Sequence, residues 1–185
     1  MDPAVFLDRD GVIIQNRENY VCSWNDVEFL PSSLYALERL SQTPYKIIII
    51  TNQSAIGRGI ITLQEAEAIN RRIIKEINKS GGRVDGFFMC PHAPEDHCLC
   101  RKPQPGLIQK AAEELSIDLE SSALIGDALT DIQAGSAAGI KTLIMVKTGR
   151  GREQFLLSQT ILNPQFQFAD HLLSAINIIL SKPVL

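Results

Sequence analysis

No stretch of this chain approaches the roughly 20 consecutive apolar residues that a membrane-spanning helix needs, which speaks against a membrane partner. The opening Met1-Asp2-Pro3 carries no positive leader region, and the apolar run after it is too short for a secretory signal. A cytoplasmic location is therefore the expectation. An excess of positive charge is missing too. The net charge is -3, which gives no broad electrostatic ground for binding nucleic acid. Internal repeats, linkers and low-complexity segments are absent. Hydrophobic residues at 45% against charged residues at 21% exclude a disordered chain. The 185 residues suit one domain with a sizeable core, taken as residues 1–185 and expected to work as a monomer. The glycine-rich loop of P-loop nucleotide hydrolases is also missing. Cysteine is scarce, with four residues, yet Cys90, Cys98 and Cys100 crowd together while Cys22 stands apart. In a reducing compartment such a cluster suits a metal better than a disulfide framework.

Strand-like and helix-like segments alternate along the chain. Pro3 to Leu7 reads as a short buried strand, and the β-branched run Tyr45 to Ile50 as a strand covered on both faces. Thr62 and Glu65 form a capping box that opens a helix with Ala66, Ile69, Ile73 and Ile77 on one face. Val84 to Met89 predicts another strand. Pro105 opens a helix with Leu107, Ile108, Ala111, Ala112 and Leu115 inward. Ser122 to Ile125 and Thr142 to Val146 predict further strands, separated by a helix from about Thr130 that stops at Gly139. Asp170 is placed to cap a last helix through Ile179. The alternation predicts an α/β fold, a doubly wound, Rossmann-like parallel sheet between two layers of helices. A long polar insert, Arg9 to Leu30, follows the first strand and reads as a flap from about residue 12 to residue 30.

In such sheets ligands sit at the carboxyl ends of the strands. The reactive residues fall there repeatedly. Asp8-Arg9-Asp10-Gly11 ends the first strand, Thr51-Asn52-Gln53-Ser54 the second, Cys90 the third and Asp127 the fourth. Two carboxylates as close as Asp8 and Asp10 resist joint ionisation unless a cation or hydrogen-bond donors compensate, and hard divalent cations prefer oxygen ligands. Thr51 and Asn52 offer neutral donors to an oxyanion, or form an ordinary turn. Arg101-Lys102 is either a solvated basic pair or a clamp on a phosphate dianion. Asp131, four residues after Asp127, caps the next helix or supports Asp127 from behind, and the two roles are compatible. Cys90, His92, Cys98 and Cys100 supply a Cys3His zinc set, with His97 as a rival for the fourth place. Together these groups suit metal-assisted phosphoryl transfer.

The set Asp8-x-Asp10-Gly11, Thr51, Lys102 and Gly126-Asp127-x3-Asp131 resembles the four motifs of the haloacid dehalogenase (HAD) superfamily of phosphatases. Phe6 to Gly11, Thr51 to Ser54, Cys90-Pro91-His92 and Cys98-x-Cys100-Arg101-Lys102-Pro103 resemble more closely the bacterial D-glycero-D-manno-heptose 1,7-bisphosphate phosphatases. The zinc-containing histidinol-phosphate phosphatases are close relatives of these. The resemblance implies a HAD-type fold, with a flap and a zinc loop from about residue 90 to residue 103. It implies a magnesium-dependent phosphomonoester hydrolase acting on a small phosphorylated substrate. Asp8 would be the nucleophile and form an aspartyl-phosphate, and Asp10 the general acid and base. Mg2+ would be held by Asp8, the Asp10 backbone carbonyl and Asp127, with Asp131 orienting these ligands. Thr51, Asn52 and Lys102 would hold the transferring phosphoryl group. Arg101 and Arg58 would reach the anionic far end of the substrate. The family pattern Cys-Pro-His favours His92 over His97 for a structural Zn2+. The chain departs from the pattern at Val12, where a threonine is common, and at Ala128, where the heptose enzymes often carry lysine.

Overall fold

A computed structural model describes residues 1–158 and 166–181, and every site residue named above lies among them. The chain runs β1 (Asp2–Leu7), α1 (Ser33–Ser41), β2 (Lys46–Asn52), α2 (Ser54–Gly57), α3 (Leu63–Lys79) and β3 (Gly86–Cys90). It continues through α4 (Gly106–Leu115), β4 (Ile117–Gly126), α5 (Leu129–Ala138), β5 (Thr142–Val146), α6 (Gly151–Ser158), β6 (Gln167–Ala169) and α7 (Leu172–Leu180). The strands form one parallel sheet in the order β3-β2-β1-β4-β5-β6. The order reverses between β1 and β4, which opens a crevice beyond their carboxyl ends.

The period-two alternation of each central strand divides the core into two layers. Val5 and Leu7 of β1 and Ile47 and Ile49 of β2 face a layer closed by α1, α3 and α7. Ala4, Phe6, Ile48 and Ile50 face the layer closed by α4 and α5. Burying each large apolar side chain contributes about 1.5–3 kcal/mol, so the innermost strands are firmly placed and carry the site at their ends. The capping box of α3 forms as predicted, with Glu65 N–H donating to Thr62 Oγ1 at 3.2 Å and Thr62 N–H donating to Glu65 Oε2 at 2.8 Å.

Three expectations are corrected. The insert after β1 is not uniformly polar. Val12, Ile13, Ile14 and Val21 are buried in the layer beneath it, and Ile14 bridges Phe29 to tie the flap shut at its base. The fourth strand begins at Ile117, well before Ser122, because Asp2 and Pro3 of β1 also pair with Ile117 and Asp118. The cap of α7 is His171, whose Nδ1 accepts from Ser174 N–H at 3.3 Å. Asp170 pairs instead with Lys147 at 2.9 Å. Strand β6, at the far edge, had no counterpart in the sequence reading.

Candidate active site

The crevice holds a cavity of about 670 Å3 walled by the ends of β1 and β2, the flap, the zinc loop and the loop after β5. Asp8 follows β1 and its N–H donates to Ile125 O of β4 at 3.0 Å, which brings the first acidic motif beside the second. Carboxylate oxygens of Asp8, Asp127 and Asp131 lie within 4.8 Å of one another, and all three residues are buried. Gly11 makes the approach possible. Its φ is +82°, and a Cβ there would stand 2.1 Å from Asp127 Oδ2.

Lys102, also buried, places Nζ 2.9 Å from Asp8 Oδ1 and 2.7 Å from Asp131 Oδ1, and donates to Ile50 O at 3.0 Å. Burial opposes its charge, but Asp131 and Asp8 outweigh burial and hold its pKa above the ordinary lysine value. Burial pushes Asp8 up to about 8, against the pull of Lys102 and with added repulsion from Asp131 and Asp127. Burial and Asp131 likewise push Asp127 up to about 6, which Arg150 opposes. Lys102, with the half-exposed Arg150 at the edge of Asp127, is thus too little positive charge for three buried carboxylates. The donor set fits a hard divalent cation such as Mg2+, which would make ionisation of Asp8 and Asp127 favourable. Asp131 stands behind Asp127 and beside Lys102. Its Oδ2 accepts from the Asp127 and Ala128 N–H groups at 3.2 and 3.1 Å, and its Oδ1 is taken by Lys102. The carboxylate of Asp10 stands outside this cluster.

The other residues fall unevenly. Asn52 lines the cavity, but its amide is engaged with the Lys102 backbone in both directions at 3.1 Å, so it positions the lysine. Thr51 is buried, and its hydroxyl donates to Asp10 Oδ2 at 3.4 Å and accepts from Gln53 Nε2 at 2.8 Å. Arg101 lines the cavity and donates to Ser54 Oγ and His92 O, both at 3.2 Å. Arg9, Arg17, Lys102 and Arg150 share that wall, and each is paired with a carboxylate. Arg101 is the cavity cation with no such pair among the described residues. Arg58 is not brought into the cavity lining. It pairs with Glu95 on the outer side of the zinc loop at 3.2 Å.

Cys90, His92, Cys98 and Cys100 converge. Their sulfurs are 3.3–3.6 Å apart, and His92 Nδ1 is 3.6 and 3.3 Å from the sulfurs of Cys90 and Cys100. The ligand edges of a tetrahedral zinc–thiolate site are about 3.8 Å, so the four residues fit Zn2+ with little adjustment. His97 is exposed and serves as the left-handed cap of the short turn Pro94–Asp96, so it does not join the cluster. With four protein ligands such a site would be closed, and it would anchor the segment that leads into Arg101 and Lys102.

Sequence reasoning missed Arg9, Gln53, Asn70 and Arg150. Arg9 and Gln53 stand inside motifs that were read for their neighbours. Arg150 follows a fifth strand end, Lys147-Thr148-Gly149-Arg150, where the same strand-end rule would have found it. Its N–H donates to Asp127 Oδ2 at 2.8 Å and its Nη2 to Oδ1 at 3.3 Å. It returns a cation to the surroundings of Asp127, where Ala128 supplies none.

A six-stranded parallel sheet with acidic groups at its switch point and a lysine between them defines a HAD-type hydrolase. A family model described as HAD-hydrolase-like matches residues 99–175. The chain is 40% identical to the D-glycero-β-D-manno-heptose-1,7-bisphosphate 7-phosphatase of Bordetella bronchiseptica over 80% of its own length and 83% of that protein. It is 41% identical to the enzyme of that description from Helicobacter pylori strain 26695, over 77% and 83% of the two chains. The crystal structure of the B. bronchiseptica D,D-heptose 1,7-bisphosphate phosphatase, complexed with magnesium and phosphate, superposes with a TM-score of 0.90 at 36% identity. That match covers 97% of this chain and 98% of the other. The chain belongs to the heptose-1,7-bisphosphate 7-phosphatase family of the HAD superfamily of phosphatases.

Proposed function

We propose that this phosphatase removes the 7-phosphate of D-glycero-D-manno-heptose 1,7-bisphosphate, as a single-domain monomer of the cytoplasm. The observation that carries the reading is the buried cluster of Asp8, Asp127, Asp131 and Lys102 with the Asp10 carboxylate held outside it. Asp8 Oδ1 accepts from Arg9 N–H at 2.8 Å and faces Lys102, while Oδ2 has no protein donor among the described residues. Oδ2 attacks phosphorus, and the bond to the primary alcohol oxygen breaks. Asp10 gives that oxygen its proton. It then takes a proton from the water that hydrolyses the aspartyl-phosphate, which returns Asp8 as a carboxylate and releases inorganic phosphate. Lys102 balances the charge of the transferring group. Asp8, Asp127 and the Asp10 carbonyl would hold Mg2+, which would supply charge neutralisation for this chemistry.

The far end of the substrate reaches Arg101, which has no carboxylate pair among the described residues and is open to a second phosphate. Glu18 and Glu153 on the same wall are the observation that favours a second reading, histidinol phosphate, whose amine seeks an anion. Steady-state kinetics on both anomers of the heptose bisphosphate, on sugar monophosphates and on histidinol phosphate separate the two. The bisphosphate is expected to give the highest kcat/KM. A preference for histidinol phosphate would replace the first reading, and turnover by an Asp8→Asn variant would overturn the mechanism.

A further inference from the structure

Arg9 is among the most deeply buried side chains of the molecule, at 1% exposure, although it lies between the two aspartates of the first motif. Its Nε donates to Asp10 Oδ2 at 3.1 Å and its Nη2 to Asp10 Oδ1 at 3.0 Å. The remaining nitrogen, Nη1, donates to Asn70 Oδ1 at 2.5 Å. Asn70 is the polar residue on the otherwise apolar buried face of α3, and its Nδ2 rests on Met89 Sδ at 3.5 Å, which orients the amide. An asparagine in that place has a cost unless its polar atoms are used, and here they are.

The donors around Asp10 are unequal. Oδ2 accepts from Arg9 Nε, from Gln53 Nε2 at 3.0 Å and from Thr51 Oγ1 at 3.4 Å. Oδ1 has Arg9 Nη2 alone. A carboxylate oxygen accepts about two hydrogen bonds along its lone pairs, so Oδ2 is saturated and Oδ1 keeps free capacity. A two-pronged guanidinium contact also removes the rotation that a single bond would leave to the carboxylate.

We infer that Arg9 and Asn70 are positioning residues for proton transfer, fixing Asp10 so that Oδ1 is the oxygen that exchanges a proton with the leaving alcohol. The inference rests on the acid–base role proposed for Asp10. Attack of the Asp8 carboxylate on phosphorus needs no proton, but departure of an alkoxide does, and that proton comes from the clamped Asp10. The same guanidinium steadies the carboxylate that forms when Asp10 gives up its proton. Asn70 acts one step further back, from a helix 61 residues away in sequence.

The test is leaving-group dependence. Phosphoenzyme formation is measured by rapid quench in the metal-loaded protein with two substrates, an alkyl phosphate and p-nitrophenyl phosphate, whose phenolate leaves without a proton. Asp10→Asn sets the scale, with an expected loss of about 10^2–10^4-fold on the alkyl substrate and little on the aryl one. Arg9→Lys keeps the charge but not the fork. It is expected to lose about tenfold or more on the alkyl substrate while staying within about threefold on the aryl one. Asn70→Ala keeps Arg9 and should show the same selective loss in weaker form, whereas Asn70→Asp, which retains the acceptor, should restore most of it. Circular dichroism and zinc content report folding, and Asn70→Ala decides if Arg9→Lys does not fold. Equal losses on both substrates would mean a structural role and overturn the inference. Full alkyl turnover by Asp10→Asn would instead overturn the reading of Asp10 on which it stands.

Discussion

Replacing Asp8 with asparagine should make the magnesium-free protein more stable. Asp8 titrates near 8 in the folded chain against 3.8 for a free aspartate, because burial outweighs Lys102. Between those values the folded state binds a proton that the unfolded state has released, so stability falls as pH rises through the window. Each pH unit is about 1.4 kcal/mol, and pH 7 lies roughly three units above the free value, so the burden is on the order of 4 kcal/mol. Asparagine has the shape of the protonated acid and carries no such burden. In zinc-loaded, magnesium-free protein, Asp8→Asn should match the parent near pH 4 and exceed it by up to about 4 kcal/mol at pH 7, growing with pH between. Urea unfolding followed by circular dichroism at several pH values measures the difference. Added Mg2+ should narrow it by binding the parent more tightly than the variant. A difference that stays flat with pH, or a variant less stable than the parent at pH 7, would refute the burial argument.

Arg101→Ala is expected to raise KM for a sugar bisphosphate by about 10–100-fold, the worth of a charged hydrogen-bonded contact, with kcat nearly unchanged. Arg58→Ala, outside the cavity, should leave both constants within about twofold, since an exposed ion pair is worth little. Removing zinc, by chelation or Cys98→Ser, should loosen the loop that carries Arg101 and Lys102 and raise KM more than it lowers the rate of phosphoenzyme formation. Full activity in protein shown by elemental analysis to lack zinc would contradict that. Gly11→Ala would force a Cβ into Asp127 at a positive φ and should abolish measurable Mg2+ binding in calorimetry, at a stability cost above about 1 kcal/mol. Unchanged Mg2+ affinity in that variant would show that the close approach does not matter.

Much of the site was legible because its chemistry sits at strand ends, and strand ends announce themselves as a polar residue after an apolar run. Asp8, Thr51, Cys90 and Asp127 were found that way, and the reversal of the sheet between β1 and β4 brings the two acidic motifs together. The tight spacing of Cys90, His92, Cys98 and Cys100 made the zinc set readable, because four ligands so close in the chain need little tertiary help to meet. The choice of His92 over His97 was different. It rested on a family pattern, and the structure gathers His92 with the three cysteines, while His97 turns left-handed at the end of a short turn and is exposed.

What the sequence by itself determined was the kind of residue at each strand end, and with it the α/β class, the acidic pair with its lysine, and the Cys3His cluster. Only the tertiary structure decided which charges pair. Arg58 was eligible for the substrate and is held by Glu95. Arg150 was overlooked and lies against Asp127. Arg9 could have been solvated and is buried between Asp10 and Asn70. The physical reason is common to all three. A long cation reaches several partners from one backbone position, and burial selects among them by the desolvation that only a particular packing of helices on the sheet imposes.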